Sequence, residues 1–265
     1  MVAYFGEKEV ALSSLVLEPE HSLLVQSYAP KEMTSGVVNA DGFGTGWYVP
    51  AVDGEPAVYR SNGPIWADRS FGSIAPKVRS ARILAAVRSA TPGLPVEESG
   101  VPPFASGPYL FAHNGSIENF RSTAMRPLRD ALSDASYSGL LGVTDSETIF
   151  ALLLDRLRTL KTRPGNVEAL SEVTAETLRG VSAACIELGV PAALNLGVTD
   201  GEAMVFARYS TLEPGNSLYF IEDGGAFPGA VVVASERLDK DTGWRQVPDR
   251  HLLATNLEGV TTHPL

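Results

Sequence analysis

The hydrophobic periodicity of this 265-residue chain changes twice between its ends. Short apolar runs separated by turn residues fill the first part, a helical spacing of apolar residues fills the middle, and the short runs then return. Strands that come in blocks, instead of alternating one by one with helices, are typical of α+β proteins with antiparallel sheets. A single β-rich domain can reach about 250 residues, and no stretch resembles an interdomain linker. The sequence therefore predicts one α+β domain over residues 1–265.

The same patterns predict the individual elements. We expect strands at residues 2–5, 47–49, 57–60 and 83–87, and later at residues 192–198, 203–209, 217–222, 231–235 and 251–255. Apolar residues at helical spacing predict helices over residues 147–160 and 167–188, the second with Asn166 as its N-cap. Residues 91–108 are rich in Pro and Gly, which indicates a long loop.

Charge and composition exclude several kinds of partner. The chain has 21 Lys and Arg against 31 Asp and Glu, a formal net charge of −10. Because nucleic acids and anionic membranes are bound mainly through cationic side chains, we expect neither as a partner. No secretory signal is apparent, no window approaches the roughly 18 apolar residues of a membrane span, and Cys185 is the single cysteine, so we expect a cytoplasmic protein without disulfides. These features leave the oligomeric state open.

Metal and nucleotide sites are not expected either. The four histidines, at positions 21, 113, 251 and 263, have neither the spacing nor the cysteine neighbours of a zinc site. The glycine-rich residues 42–46 look like a phosphate-binding loop, but a predicted strand follows them, whereas such a loop must begin a helix. We therefore predict no metal and no cofactor.

The dipeptide Asn114-Gly115 has two interpretations. Predicted strands at residues 110–112 and 116–120 flank it, and Asn-Gly is the strongest short signal for a two-residue hairpin turn. Alternatively, the Asn114 side-chain amide and the Gly115 backbone N–H form an oxyanion hole, in which glycine lets a substrate approach closely.

Two charged residues near element ends also have a structural and a chemical interpretation. Asp145 belongs to residues 144–147, Thr-Asp-Ser-Glu, which have the spacing of a capping box in which Thr caps the helix and Glu reaches back. Its carboxylate is equally suited to pair with a ligand ammonium. Arg88 ends an apolar strand, where it either reaches solvent or binds a carboxylate with its planar fork, assisted by the Thr91 hydroxyl.

A guanidinium, a carboxylate and a pair of oxyanion donors complement the carboxylate, ammonium and distant carbonyl of a γ-glutamyl group. In this order, residues 88–91, 113–115 and 144–147 resemble the glutamine-binding signature of the class II glutamine amidotransferase domains of the N-terminal-nucleophile hydrolases. Residues 39–44, Asn-Ala-Asp-Gly-Phe-Gly, resemble the Asp-Gly-Trp-Gly subgroup of that family. The more specific flanking stretches are similar to the branch that hydrolyses γ-glutamyl hercynylcysteine sulfoxide in ergothioneine biosynthesis; they are residues 17–30, 234–236, 243–244 and 247–252.

This resemblance implies a fold, an activity and roles for the site residues. The fold would be a four-layer αββα sandwich of two antiparallel sheets, and the activity would be hydrolysis of a small-molecule γ-glutamyl amide with release of glutamate. Asn114 and Gly115 would stabilise the oxyanion, Arg88 and Thr91 would hold the α-carboxylate, and Asp145 would hold the α-ammonium.

The nucleophile of the family does not occur in this sequence. The family uses an N-terminal cysteine, whose α-amine also supplies the general base. In its pattern that cysteine lies two residues ahead of the position of Met1, and an arginine lies between them. A methionine thioether cannot replace a thiolate, and Cys185 lies on the apolar face of a predicted helix, where we expect a buried structural residue. Of the possible explanations, a sequence that begins at an internal methionine is favoured over an inactive γ-glutamyl-binding protein or a different mechanism. The alternative activity is that of a glutaminase subunit supplying ammonia to a partner synthase.

Overall fold

A computed structural model of the chain describes residues 1–33, 36, 38–90, 96–161, 163–212 and 215–265. Its helices are α1 (Leu12–Val16), α2 (Leu23–Tyr28), α3 (Arg69–Ile74), α4 (Met125–Asp130), α5 (Asp134–Ser138), α6 (Asp145–Leu160) and α7 (Val167–Glu187). Its strands are β1 (Val2–Ala11), β2 (Phe43–Tyr48), β3 (Pro56–Ser61), β4 (Arg79–Val87), β5 (Phe104–Ser106), β6 (Tyr109–Ile117), β7 (Ala192–Thr199), β8 (Met204–Arg208), β9 (Tyr219–Gly224), β10 (Phe227–Ala234), β11 (Arg245–Gln246), β12 (His251–Asn256) and β13 (Gly259–Pro264).

These strands form two antiparallel sheets. Sheet A has seven strands in the order β11-β9-β10-β1-β4-β2-β3, and sheet B has six in the order β13-β12-β8-β7-β6-β5. In sheet A, β1 lies between β4 and β10, with Val2 opposite Ala85 on one side and Ala234 on the other. In sheet B, β6 pairs with β7, and Asn114 lies opposite Asn195.

Three apolar cores separate the layers of the molecule. Along β6, Leu110 belongs to the core between the two sheets, whereas the next residue, Phe111, belongs to the core between sheet B and helices α6 and α7. On the outer face of sheet A, the third core includes Leu12, Leu23 and Phe71 from α1, α2 and α3. The order of layers is therefore helices, sheet A, sheet B and helices, which confirms the α+β class and the αββα sandwich.

The hairpin turn predicted at Asn114-Gly115 is wrong, because both residues lie inside the continuous strand β6. A Cβ atom at Gly115 would lie 2.0 Å from the carbonyl oxygen of Ala193 on β7. The glycine is thus required by the close approach of two backbones within the sheet, as is common for a glycine in a strand interior. Local sequence could not reveal this, because the residues of β7 are distant in the chain.

The two long helices are confirmed to within two residues at each end, since α6 covers residues 145–160 and α7 covers residues 167–187. Both predicted N-caps are present, as Thr144 Oγ1 accepts from the Glu147 N–H at 3.1 Å and the Asn166 side chain caps α7. The Glu147 carboxylate departs from the capping box, because it accepts from the backbone N–H groups of Leu141 and Gly142 instead.

Short elements account for the remaining differences. The loop predicted at residues 91–108 contains β5, which pairs with β6, while residues 91–95 lie outside the described residues. Strands β11 and β13 and the short helices α1 to α5 are not predicted by the sequence. Helices of five or six residues are too short for a helical period to be recognised. Strand β11 has two residues, and β13 is mostly exposed, so neither has an apolar run.

The stacked rings of Phe111 and Phe150, 5.1 Å apart, join sheet B to α6 in a buried core. We expect Phe150→Ala to lower the free energy of unfolding by about 3–5 kcal/mol, because it removes this packing and leaves a cavity. Urea denaturation measures the change. Leu141→Ala, at a residue that is 83% exposed, is the control and should change stability by less than about 0.5 kcal/mol. Equal effects of the two substitutions would contradict this account of the core.

Candidate active site

A cavity of about 470 Å³ lies where four elements meet. They are the beginning of β1, the end of β4, the middle of β6 and the beginning of α6. Arg88 directly follows β4, Asn114 and Gly115 belong to β6, and Asp145 is the first residue of α6; all four line the cavity. The fold therefore brings together four of the residues predicted from the sequence. The fifth, Thr91, lies outside the described residues, and its role stays a prediction.

The Asn114 side chain links the two sheets. Its Nδ2 donates a hydrogen bond to Oγ of Ser235, immediately after β10, at 2.6 Å. An amide nitrogen carries two hydrogens, so the contact with Ser235 orients the group while a second hydrogen can serve a ligand oxygen. Gly115 next to it has no side chain that would cover its backbone. The pair has the composition of an oxyanion hole, a side-chain amide beside a backbone N–H.

The Asp145 carboxylate is buried and fixed at the first turn of α6. Oδ2 accepts from the Ile117 N–H on β6 at 2.8 Å, and Oδ1 accepts from the Ser146 N–H at 2.7 Å. A carboxylate has more lone pairs than these two contacts use. Asp145 can therefore keep its position in the protein and still accept from a ligand ammonium.

Backbone hydrogen bonds hold Arg88 beside Asp41, a second carboxylate near the cavity. Its N–H donates to the Gly42 carbonyl at 2.8 Å, and its carbonyl accepts from the Asp41 N–H at 3.0 Å. Burial lowers the pKa of the Arg88 guanidinium, and the carboxylates of Asp41 and Asp145 oppose that effect. Arginine begins so far above neutrality that it remains a cation. The cavity thus contains a largely buried positive charge of the shape that binds a carboxylate.

Ser235 and the beginning of β1 form a part of the site for which the sequence predicts no chemical role. The Met1 α-amine donates to Ser235 Oγ at 3.0 Å, and the Ser235 N–H donates to the Met1 carbonyl at 2.9 Å. Asn114 donates to the same hydroxyl oxygen, so Ser235 connects the beginning of β1 to Asn114. Residues 234–236 contribute to the family resemblance, but no local pattern indicates this contact.

Glu236 provides a buried negative charge near the beginning of β1. Its carboxylate accepts from the Lys31 backbone N–H at 2.8 Å and lies 2.6 Å from Nε2 of His21. This charge raises the pKa of the Met1 α-amine, against the larger effect of burial. His21 and Glu236 are 215 positions apart, so sequence reasoning could not pair them.

Two negative findings apply to the described part of the chain only. It contains no group of three or more His, Cys, Asp or Glu residues arranged to hold a metal ion. None of its helices is long and apolar enough to cross a membrane.

Burial lowers the pKa of the Met1 α-amine from its usual 8.0 to about 5. Between these values the unfolded chain binds a proton that the folded chain does not. The free energy of unfolding should therefore rise from pH 5 to pH 8, by up to about 1.4 kcal/mol per pH unit. Urea denaturation of the chain that begins at Met1 measures this slope. An N-terminally acetylated chain, which lacks the titrating amine, should lose that contribution, and equal slopes for the two chains would contradict the prediction.

Known proteins resemble this chain in sequence and in fold. The sequence matches the family model of class II glutamine amidotransferases over residues 15–263. It is 39% identical over 253 residues to the gamma-glutamyl-hercynylcysteine sulfoxide hydrolase of Mycobacterium tuberculosis, covering 96% of this chain and 91% of that protein. It is 35% identical over 264 residues to the protein of the same name from Mycolicibacterium smegmatis, covering 100% and 98%. A solved glutamine aminotransferase class-II domain protein from Silicibacter pomeroyi shares the fold, with a TM-score of 0.70 at 22% identity over 99% of this chain and 97% of that one. The chain belongs to the class II glutamine amidotransferase family.

Proposed function

We propose that the protein hydrolyses a γ-glutamyl amide, γ-glutamyl hercynylcysteine sulfoxide, and releases glutamate. The observation that carries this proposal is that Arg88, Asp145 and the pair Asn114 and Gly115 line the same cavity. The printed names of the two mycobacterial relatives, at 39% and 35% identity over nearly the whole chain, support this choice of substrate.

Each substrate group has a complementary group in the cavity. Arg88, assisted by Thr91, binds the α-carboxylate with its planar fork. Asp145 accepts from the α-ammonium, and both charges are largely buried, which strengthens these contacts relative to those on an exposed surface. Asn114 Nδ2 and the Gly115 N–H stabilise the negative charge that develops on the γ-carbonyl oxygen.

We infer that the nucleophile is a cysteine thiolate, which the family pattern has two positions ahead of the position that Met1 occupies. On β1, Val2 lies opposite Ala85 of β4. Because the strands are antiparallel, each step back along β1 is one step forward along β4, so a residue two positions ahead of Met1 reaches the level of Arg88. This register supports the proposal that such a cysteine lies beside Arg88, which lines the cavity.

The reaction then proceeds in two displacements. The cysteine α-amine takes the thiol proton, the sulfur attacks the γ-carbonyl carbon, and the oxyanion is stabilised by Asn114 and Gly115. Collapse breaks the C–N bond, the proton passes to the leaving amine, and a thioester remains. Water, deprotonated by the same α-amine, attacks the thioester carbonyl. The thiol leaves with its proton restored, and glutamate is released.

The test compares three chains. One begins at Met1, one carries Cys-Arg ahead of Met1 with a free cysteine α-amine, and the matched control carries Ala-Arg there. We expect glutamate release from the sulfoxide conjugate with the Cys-Arg chain alone, because only this chain has the thiolate. Free glutamate is assayed with the conjugate and, in parallel, with glutamine.

Each outcome decides between stated alternatives. No release above background from the Cys-Arg chain would overturn the proposed hydrolysis. Glutamine hydrolysis faster than conjugate hydrolysis would favour an ammonia-supplying glutaminase. Release by the chain that begins at Met1 would show that the cysteine is not the nucleophile.

Substitutions in the Cys-Arg chain should separate catalysis from binding. Asn114→Ala should lower kcat by about 10²- to 10³-fold with a much smaller change in KM, because the oxyanion contact exists only in the transition state. Asp145→Asn should mainly raise KM, by about tenfold or more, because it removes the charge that pairs with the bound ammonium. Steady-state kinetics measure both effects. A large rise in KM for Asn114→Ala with unchanged kcat would contradict the assigned role.

A further inference from the structure

On the face of β6 that points away from sheet A, a side chain of β6 contacts α6. Neighbouring residues of a strand point to opposite faces. The Asn114 side chain contacts Ser235 beside sheet A, while the His113 side chain contacts Ser146 in the first turn of α6. His113 is buried, and the functions assigned above do not use it.

The two contacts of the His113 ring determine where its proton is. Nε2 lies 2.9 Å from the carbonyl oxygen of Ala193, which can only accept, so Nε2 carries the hydrogen. Nδ1 lies 3.0 Å from Ser146 Oγ. In the neutral ring Nδ1 is then the acceptor. The Ser146 hydroxyl donates its single hydrogen to Nδ1 in preference to Asp145 Oδ1, which lies farther away, at 3.3 Å. The ring thereby bridges β6, β7 and α6.

This bridge is one of two links between the same strand and the same helix end. The other is the hydrogen bond from the Ile117 N–H to Asp145 Oδ2, at 2.8 Å. The links join His113 to Ser146 and Ile117 to Asp145. Gly115 lies midway between them on β6, so the oxyanion pair is held at both sides against the helix turn that carries Asp145.

We propose that His113 and Ser146 are positioning residues that set the spacing between the oxyanion donors and the Asp145 carboxylate. This inference rests on the proposed function, in which one γ-glutamyl group must place its α-ammonium at Asp145 and its γ-carbonyl at Asn114 and Gly115 together. The number of bonds between those two substrate groups is fixed. Loss of the bridge would leave Arg88 and Asp145 able to bind substrate while misaligning the reacting carbonyl.

A positioning role predicts a specific kinetic pattern in the Cys-Arg chain. Ser146→Ala should lower kcat by about 10- to 100-fold, since small misplacements of reacting groups have effects of this size, while KM changes by less than about twofold. Ser146→Thr keeps the hydroxyl and should restore most of kcat. Ser171→Ala is the matched control, because the Ser171 hydroxyl only donates to Val167 O within α7.

A second measurement does not depend on activity. Nitrogen-15 NMR of histidine-labelled protein reports which ring nitrogen carries the proton, and His113→Gln identifies the His113 signals among those of the four histidines. We expect His113 to be protonated at Nε2 alone. Its Nδ1 signal should shift in Ser146→Ala and keep its position in Ser171→Ala.

The outcomes separate this inference from the proposed function. If the Cys-Arg chain is inactive, the proposed function fails, and the NMR measurement still decides whether the bridge exists. A His113 ring protonated at Nδ1 would overturn the inference. It would also be overturned if Ser146→Ala lowered thermal stability without lowering kcat, or raised KM with kcat unchanged, because those results indicate a structural or a binding role.

Discussion

Close packing of the two sheets sets the relative positions of the groups that line the cavity. A Cβ at Gly46 of sheet A would lie 2.6 Å from a methyl carbon of Leu110 in sheet B, so the sheets approach closely beside β4 and β6. Arg88 follows one of these strands and Asn114 belongs to the other. The hydrogen bond from Asn114 to Ser235 then joins the sheets directly at the cavity. A change in sheet packing would therefore move Arg88 and Asn114 relative to each other.

Three charged side chains that line the cavity, Arg88, Asp145 and Glu236, are buried, and each has a compensating contact. Asp145 accepts from the Ile117 N–H, Glu236 lies against His21, and the Arg88 cation is stabilised by the carboxylates of Asp41 and Asp145. Burying an uncompensated charge costs several kcal/mol, whereas a fixed and compensated charge is available to a ligand without reorganisation. The cavity is thus prepared for a ligand that carries both signs of charge, as a γ-glutamyl group does.

Sequence patterns succeeded where the signal was local and repeated. The periodicities of α6 and α7 and their caps at Thr144 and Asn166 needed only neighbouring residues, and the structure confirms them. The motifs around Arg88, Asn114 and Asp145 pointed to residues that the fold brings to one cavity. The Asn-Gly signal failed because pairing with β7, formed by residues distant in the chain, overrides a local turn preference.

The sequence by itself determined the α+β class, the two long helices and the chemical identity of the main cavity residues, because side-chain chemistry and hydrophobic period are properties of short segments. Tertiary structure decided that Asn114 and Gly115 lie within a strand, that Ser235 connects the start of β1 to Asn114, and that His21 and Glu236 meet. These contacts join residues far apart in the chain. Their geometry depends on strand register and sheet packing, which no short segment specifies alone.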